Sequence, residues 1–253
     1  MSGALHSARE DDVLHLRLQR PDKGNALSAA LVGELSEAVE RASRDDGLRL
    51  LVLSGEGRHF CTGFDLSDLD RETDDSLLAR FTRVELLLQA VHAAPFATLA
   101  LARGRTMGAG ADLFAACSER WIVGEASLAF PGAAFGLVLG TARLATLVGA
   151  PRAAQWIEGG ATLDAATACA SGLATRQLGD GDGDLDAALA GLRARVQRLD
   201  AATQRGIHAA IDTARRPRGE AGDAQDLAWL VRSAARPGLR ERIAAYRAAQ
   251  RKV

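Results

Sequence analysis

At 253 residues, 47% of them hydrophobic, the chain fits one globular domain of ample core. A formal net charge of −1 excludes an overall basic field for nucleic acid. No apolar run reaches the roughly 20 residues that a membrane-crossing helix needs. Residues 1–12 are polar with acids and lack the apolar core of a secretory signal, which predicts a cytoplasmic protein. Cys61, Cys117 and Cys169 form neither an even disulfide framework nor a CxxC pair, so they read as buried thiols in a reducing compartment.

In chain order, Val13–Leu18 alternates with period two and predicts a strand. Ser28 then opens a helical pattern that puts Leu31, Leu35 and Val39 on one face. The unit repeats, with a strand at residues 48–53, a loop, and a helix over residues 76–92. A third unit has an apolar strand at 97–102 and a helix from Ala109 to Cys117. Trp121-Ile122-Val123 and Ser127-Leu128-Ala129-Phe130 are strand-like and precede helices from about Arg143. Recurring strand-to-helix units predict an α/β fold. From Asp184 the pattern is helical, with Leu185, Leu189, Leu192, Val196 and Leu199 in register. Gly206-Ile207 interrupts it lightly, and Arg216-Pro217-Arg218-Gly219 breaks it.

Two glycine-containing segments follow strands: residues 58–66 (RHFCTGFDL) and 104–113 (GRTMGAGADL). Each presents backbone N–H groups at a strand's exit, and the second opens a helix whose unpaired amides and dipole favour negative charge. Two donor sites aimed at one oxygen make an oxyanion hole, which suits a developing negative charge on a thioester carbonyl. A dinucleotide-binding loop competes for Gly104, Gly108 and Gly110, but the spacing is GxxxGxG rather than GxGxxG. A tight helix start with no ligand also accounts for Gly108 and Gly110 taken alone.

With those segments in view, the chain resembles the crotonase family, the enoyl-CoA hydratase/isomerase superfamily. Arg20-Pro21-Asp22-Lys23-Gly24-Asn25-Ala26-Leu27 is similar to its N-terminal CoA-contacting turn. Phe130-Pro131, Gly136-Leu137 and Val148-Gly149-Ala150-Pro151 continue the pattern in order, and the C-terminal Ala235-Arg236-Pro237-Gly238 with Ile243-Ala244-Ala245-Tyr246-Arg247 resembles the family's closing helices. The resemblance implies a spiral of ββα units over residues 1–195 carrying the CoA-ester site. It implies a C-terminal helical region over 196–253 for packing in a homotrimer or a pair of trimers. Carried over by motif position, the oxyanion donors are the N–H groups of Phe64 and Ala109. Lys23, Asn25, Ala26, Gly63, Asp65, Leu66 and Gly108 are the implied CoA and substrate contacts. CoA enters as part of the substrate, and neither a permanently bound cofactor nor a metal is implied.

Asp112 occupies the position of the first of the two catalytic glutamates in family hydratases, one methylene shorter, on the first turn of the Ala109 helix. It can move a proton directly or through one water. Dipole and capping alone also favour an acid there, so a purely structural role stays open. After Pro131, where the hydratases place the second glutamate, this chain has Gly132. Hydration needs one group to activate water and a proton delivered at the α-carbon, and the family divides that work between two carboxylates, so the resemblance does not imply ordinary hydratase activity here. Gly132 is instead expected to leave room for a water, an anion or a substrate carboxylate. Phe130, Pro131, Gly132 and Phe135 are expected to line the pocket, with Phe64, Phe81 and Leu77 as further candidates. His59, Arg20 and Asp68 carry lower weight, and Trp121, Trp156 and Trp229 read as core or interface residues.

The resulting expectation is an acyl-CoA thioester enzyme that stabilises an enolate and is isomerase-like, because one base can take and return a proton. Hydratase or lyase chemistry, or decarboxylation or thioester hydrolysis, are the alternatives. A non-catalytic acyl-CoA-binding or assembly subunit is the rival of another class.

Overall fold

The computed structural model describes residues 3–215 and 220–250. The expected break at Arg216-Pro217-Arg218-Gly219 lies outside these residues. Strand β1 (Leu5–Glu10) forms an antiparallel hairpin with β2 (Val13–Leu18), turned by Asp11 at φ 54°. Helix α1 (Ala29–Ser43) starts where Ser28 accepts from the Leu31 N–H, satisfying one of the amides a helix leaves unpaired. Next come β3 (Leu50–Gly55), α2 (Asp74–His92), β4 (Ala97–Met107), α3 (Ala109–Ala116) and β5 (Glu119–Ala129). A capping box between Thr73 and Ser76 opens α2.

β2, β3, β4 and β5 lie side by side in chain order and pair in parallel. Parallel neighbours need a crossover, and α1, α2 and α3 supply them in turn. Because side chains alternate across a strand, β3 faces two cores at once. Leu51 and Leu53 point to the cluster that α1, α2 and α3 complete. Leu50 and Val52 point to the opposite cluster, with Leu99, Trp121 and Val123. These four β3 side chains are buried to 2% exposure or less, and each contributes about 1.5–3 kcal/mol.

After β5 come α4 (Thr141–Val148), α5 (Ala150–Glu158), β6 (Thr162–Asp164), α6 (Ala165–Ala170) and β7 (Arg176–Leu178). β6 pairs antiparallel with the end of β5, and β7 pairs in parallel with its start. Helix α7 (Asp182–Gln197) covers the second sheet face with Ala188, Leu192 and Val196. Then follow α8 (Ala201–Arg215), α9 (Glu220–Ala234) and α10 (Leu239–Gln250). A third apolar cluster joins α9 and α10 to Leu77, Phe81, Phe135 and Leu137, and so carries the C-terminus back to the ends of the strands.

The α/β expectation holds, with local corrections. Within the polar N-terminal segment, for which no element was expected, Leu5–Glu10 forms β1. The two strand-like pieces at 121–130 are one strand with a register shift, centred on Gly124 at φ 67°. Gly206 does not interrupt α8, because it is exposed and only its weaker helix propensity is at stake. Leu199 lies beyond α7 and is exposed, and so is Trp229, whereas Trp121 and Trp156 are buried.

Candidate active site

The two glycine segments leave β3 and β4, which are neighbours in the sheet, so the backbone brings them together. Cys61 bridges Thr106, and the Met107 N–H donates to the Cys61 carbonyl at 2.9 Å. So close an approach requires glycine. A β-carbon at Gly63, where φ is 101°, would sit 2.7 Å from the Met107 carbonyl oxygen. Gly108, at φ 51° and ψ −127°, takes a conformation closed to L side chains and starts α3.

The same geometry leaves two amides free. Leu27 N–H donates to the Gly63 carbonyl at 2.8 Å, and Asp65 N–H donates to the Leu27 carbonyl at 3.1 Å. Successive N–H groups of an extended chain alternate, so the Phe64 N–H between them points away from this ladder. Ala109 is the first residue of α3, and the first intrahelical donor is Asp112, to the Gly108 carbonyl at 2.9 Å. The Ala109 amide therefore has no acceptor in its helix, and the positive end of the helix dipole stands behind it.

Phe64 and Ala109 line a cavity of about 520 Å³, with Gly63, Leu66 and Gly108 beside them. Phe130, Pro131, Gly132 and Phe135 form part of its wall. The Phe64 ring stacks on Phe81, with centroids 4.0 Å apart and planes at 20°, and the Arg80 guanidinium lies 4.3 Å over it. The phenyl group is thereby fixed as one side of the cavity. Leu77 does not reach the lining; it is fully buried in the third cluster.

Among the described residues that line the cavity, Asp112 is the one carboxyl group. It is 5% exposed, and burial pushes its carboxyl well above the usual range. The Arg143 charge opposes that shift, and Glu85 adds to it. The position of the family's second acid is open: a β-carbon at Gly132 would meet only Leu137 Cβ, at 3.8 Å.

Several expected contacts serve the frame of the site. Asn25, fully buried at φ 56°, accepts from Arg20 N–H and donates to the Glu56 and His59 carbonyls at 2.9 and 2.7 Å. Arg20 pairs with Asp65 at 2.7 Å and also donates to the carbonyl of the buried Ala26, tying the N-terminal turn to the first glycine segment. Burial works to raise the Asp65 carboxyl, but hydrogen bonds from Ser67 and Arg20 outweigh it and hold it below the usual range. His59 Nδ1 accepts from Arg105 N–H at 3.1 Å. Lys23 is exposed at the end of the short turn Pro21–Lys23, outside the cavity lining. Burial lifts the thiols of Cys61 and Cys117 to about 12, so neither is a ready nucleophile.

Sequence reasoning missed the residues that close the cavity from afar. Tyr246, Arg247 and Gln250 of α10 line it, and Arg247 Nη1 donates to the Leu66 carbonyl at 2.8 Å. Arg105 lines it from β4; burial lifts the Tyr246 phenol above its usual range, and the nearby Arg105 charge offsets that only in part. Tyr246 and Arg247 fall in the expected closing helix, but no local pattern marks them, Gln250 or Arg105 as site residues, because tertiary packing alone brings them there.

The α/β core thus brings Phe64, Ala109 and the buried Asp112 carboxyl to the wall of one cavity. The chain belongs to the enoyl-CoA hydratase/isomerase family, whose model matches residues 8–228. It is 36% identical over 168 residues to the Mycobacterium tuberculosis protein named Probable enoyl-CoA hydratase echA6, covering 65% of this chain and 66% of that one. It is 31% identical over 201 residues to the mitochondrial Delta(3,5)-Delta(2,4)-dienoyl-CoA isomerase of Homo sapiens, covering 73% and 61%. The matched segment thus spans just under two thirds of each of these relatives. A solved enoyl-CoA hydratase/isomerase structure from Bordetella parapertussis superposes with a TM-score of 0.89 at 40% identity, covering 97% of this chain and 98% of that one. Among the described residues, no helix is long and apolar enough to cross a membrane.

Proposed function

We propose that this protein acts on an acyl-CoA thioester through an enolate and shifts a double bond, in the manner of an isomerase. In this reading the thioester oxygen sits between the Phe64 and Ala109 N–H groups, and negative charge builds there as an α-proton leaves. Donors placed in this way are each worth about 10²–10³ in rate. Asp112 takes the proton and returns it one double bond away. A positioned acid–base group contributes about 10²–10⁴.

The observation that carries the isomerase choice is the lone carboxyl of the cavity wall, set against the open position at Gly132. Hydration calls for a water-activating group and a separate proton source, whereas a 1,3-shift needs one group that both takes and gives. A carboxyl that burial raises well above the usual range is a stronger base than an ordinary aspartate and can still give the proton back.

CoA enters as part of the substrate, and no resident cofactor or metal takes part. Lys23 and the N-terminal turn contact the CoA moiety, and residues 196–253 support self-association as a trimer or pair of trimers in the cytoplasm. The test is α-hydrogen exchange in heavy water with a panel of saturated and enoyl-CoA thioesters, followed by mass spectrometry. Deuterium uptake with double-bond migration, both abolished in Asp112→Asn, is the expected result. Thioester binding without uptake in the unmodified protein would sink the proposal in favour of a non-catalytic acyl-CoA-binding subunit.

A further inference from the structure

Helices α2, α3, α4 and α9 converge behind Asp112. Glu85 of α2 is 1% exposed and grips Arg143 of α4 with both oxygens, accepting from Nη1 at 2.9 Å and from Nη2 at 2.5 Å. Asp226 of α9 stands 3.6 Å from Arg143 Nη1, and Gln89 Nε2 donates to Glu85 at 2.8 Å. Asp112 meets this cluster through the first turn of α4. Its carboxyl rests against Gly140, the residue that caps α4, and Arg143 lies three residues on, over the same helix face. Arg143 and Asp112 are close enough for their charges to act on each other. On its other side Arg143 walls a second cavity of about 610 Å³, whose lining does not include Asp112.

The charges decide what this arrangement does. Glu85 and Asp226 both face Arg143, so its one positive charge is shared between two carboxylates before Asp112 is counted. An ionised Asp112 would be a third carboxylate drawing on the same guanidinium. The bidentate grip of Glu85 also spends most of the Arg143 field on itself. From the cavity side Arg105 of β4, with Tyr246 and Arg247 of α10, shares the same space as Asp112.

Resting on the reading of Asp112 as the proton carrier, we propose that Glu85 and Arg143 are positioning residues that govern how readily Asp112 releases its proton. Glu85, with no contact to the cavity, takes up much of the Arg143 charge and so leaves Asp112 the stronger base for the α-proton. Loss of Glu85 hands the Arg143 charge to Asp112; loss of Arg143 removes it altogether.

The two changes therefore act in opposite directions, which no merely structural role imitates. In Glu85→Gln the Asp112-dependent limb of the pH profile for α-proton exchange moves down by about 1 pH unit, and in Arg143→Gln it moves up by about 1. The double variant Glu85→Gln/Arg143→Gln, a neutral pair that still hydrogen-bonds, returns toward the unmodified profile. Asp226→Asn, on a partly exposed side chain, shifts the limb the same way as Glu85→Gln and serves if that variant does not fold. A readout free of turnover is the carboxyl infrared band of isotope-labelled aspartate, assigned to Asp112 by its absence in Asp112→Asn. If that band shifts in opposite directions while no variant exchanges protons, the catalytic reading fails and the charge control stands. A band that titrates unchanged in folded Glu85→Gln and Arg143→Gln overturns the inference, whatever the kinetics.

Discussion

The carboxyl group of Asp112 rests on Gly140: a β-carbon at Gly140 would lie 2.8 Å from Asp112 Cγ and nearer still to Oδ1. Gly140 stands at φ 64°, the left-handed region, so an alanine there is strained as well as crowded. Gly140→Ala is expected to cost about 1–2 kcal/mol of stability from the backbone alone. It should also push the Asp112 carboxyl off its line to the substrate, and a misplacement near 1 Å costs about 100-fold in rate. Thioester binding should survive, because the two amide donors lie elsewhere. Exchange kinetics at the unmodified level in Gly140→Ala would show that Asp112 needs no such seat.

The ionisation of Asp112 also reaches stability. Its folded-state carboxyl titrates well above the ordinary 3.8, chiefly through burial, so between those two values the folded chain holds a proton that the unfolded chain has released. The contribution is full below pH 3.8 and is lost as pH rises toward the folded-state value. Asp112→Asn is therefore expected to be more stable than the unmodified protein at pH 7, with the gap closing on acidification. Urea unfolding of both chains across that range measures it, and a gap that grows on acidification contradicts the assignment.

Gly132 offers the converse experiment. A β-carbon there meets only Leu137 Cβ, at 3.8 Å, and the cavity lies ahead of it. Gly132→Glu should fold with a stability change within about 0.5 kcal/mol. It restores a second carboxyl beside Asp112, so hydration of a conjugated enoyl-CoA should rise at least about tenfold relative to double-bond migration. The product ratio from a single enoyl-CoA, read by mass spectrometry, decides it.

What the sequence disclosed follows the range of the interactions involved. β2, α1, α2 and α3 were legible because period, capping by Ser28 and the Ala109 helix start are local signals. The glycines were legible because a positive φ or a close backbone approach leaves few alternatives. β1 was not, since it is an edge strand whose mixed residues gain their structure from β2. Arg143 and Glu85 lie 58 residues apart, and Arg247 meets Leu66 across 181. Pairings at such separations exist only once the chain is packed, so no window of sequence contains them.

Phe64 separates the work of a side chain from that of its backbone. Its amide is the proposed oxyanion donor, while its ring walls the cavity, stacks on Phe81 and carries Arg80. In Phe64→Ala the N–H remains, so exchange with a short-chain thioester should stay within about tenfold of the unmodified rate, and bulkier acyl groups should gain. Stability should fall by about 2–3 kcal/mol, less than for a fully buried phenylalanine. Gly63→Ala is the opposite case. Its β-carbon would press 2.7 Å from the Met107 carbonyl at φ 101°, displacing both donor segments at once. It should therefore lose about 10²–10³ or more in rate for every acyl group. If Phe64→Ala instead loses as much activity as Gly63→Ala with short substrates, the ring itself acts in the reaction, and the backbone account of this site is wrong.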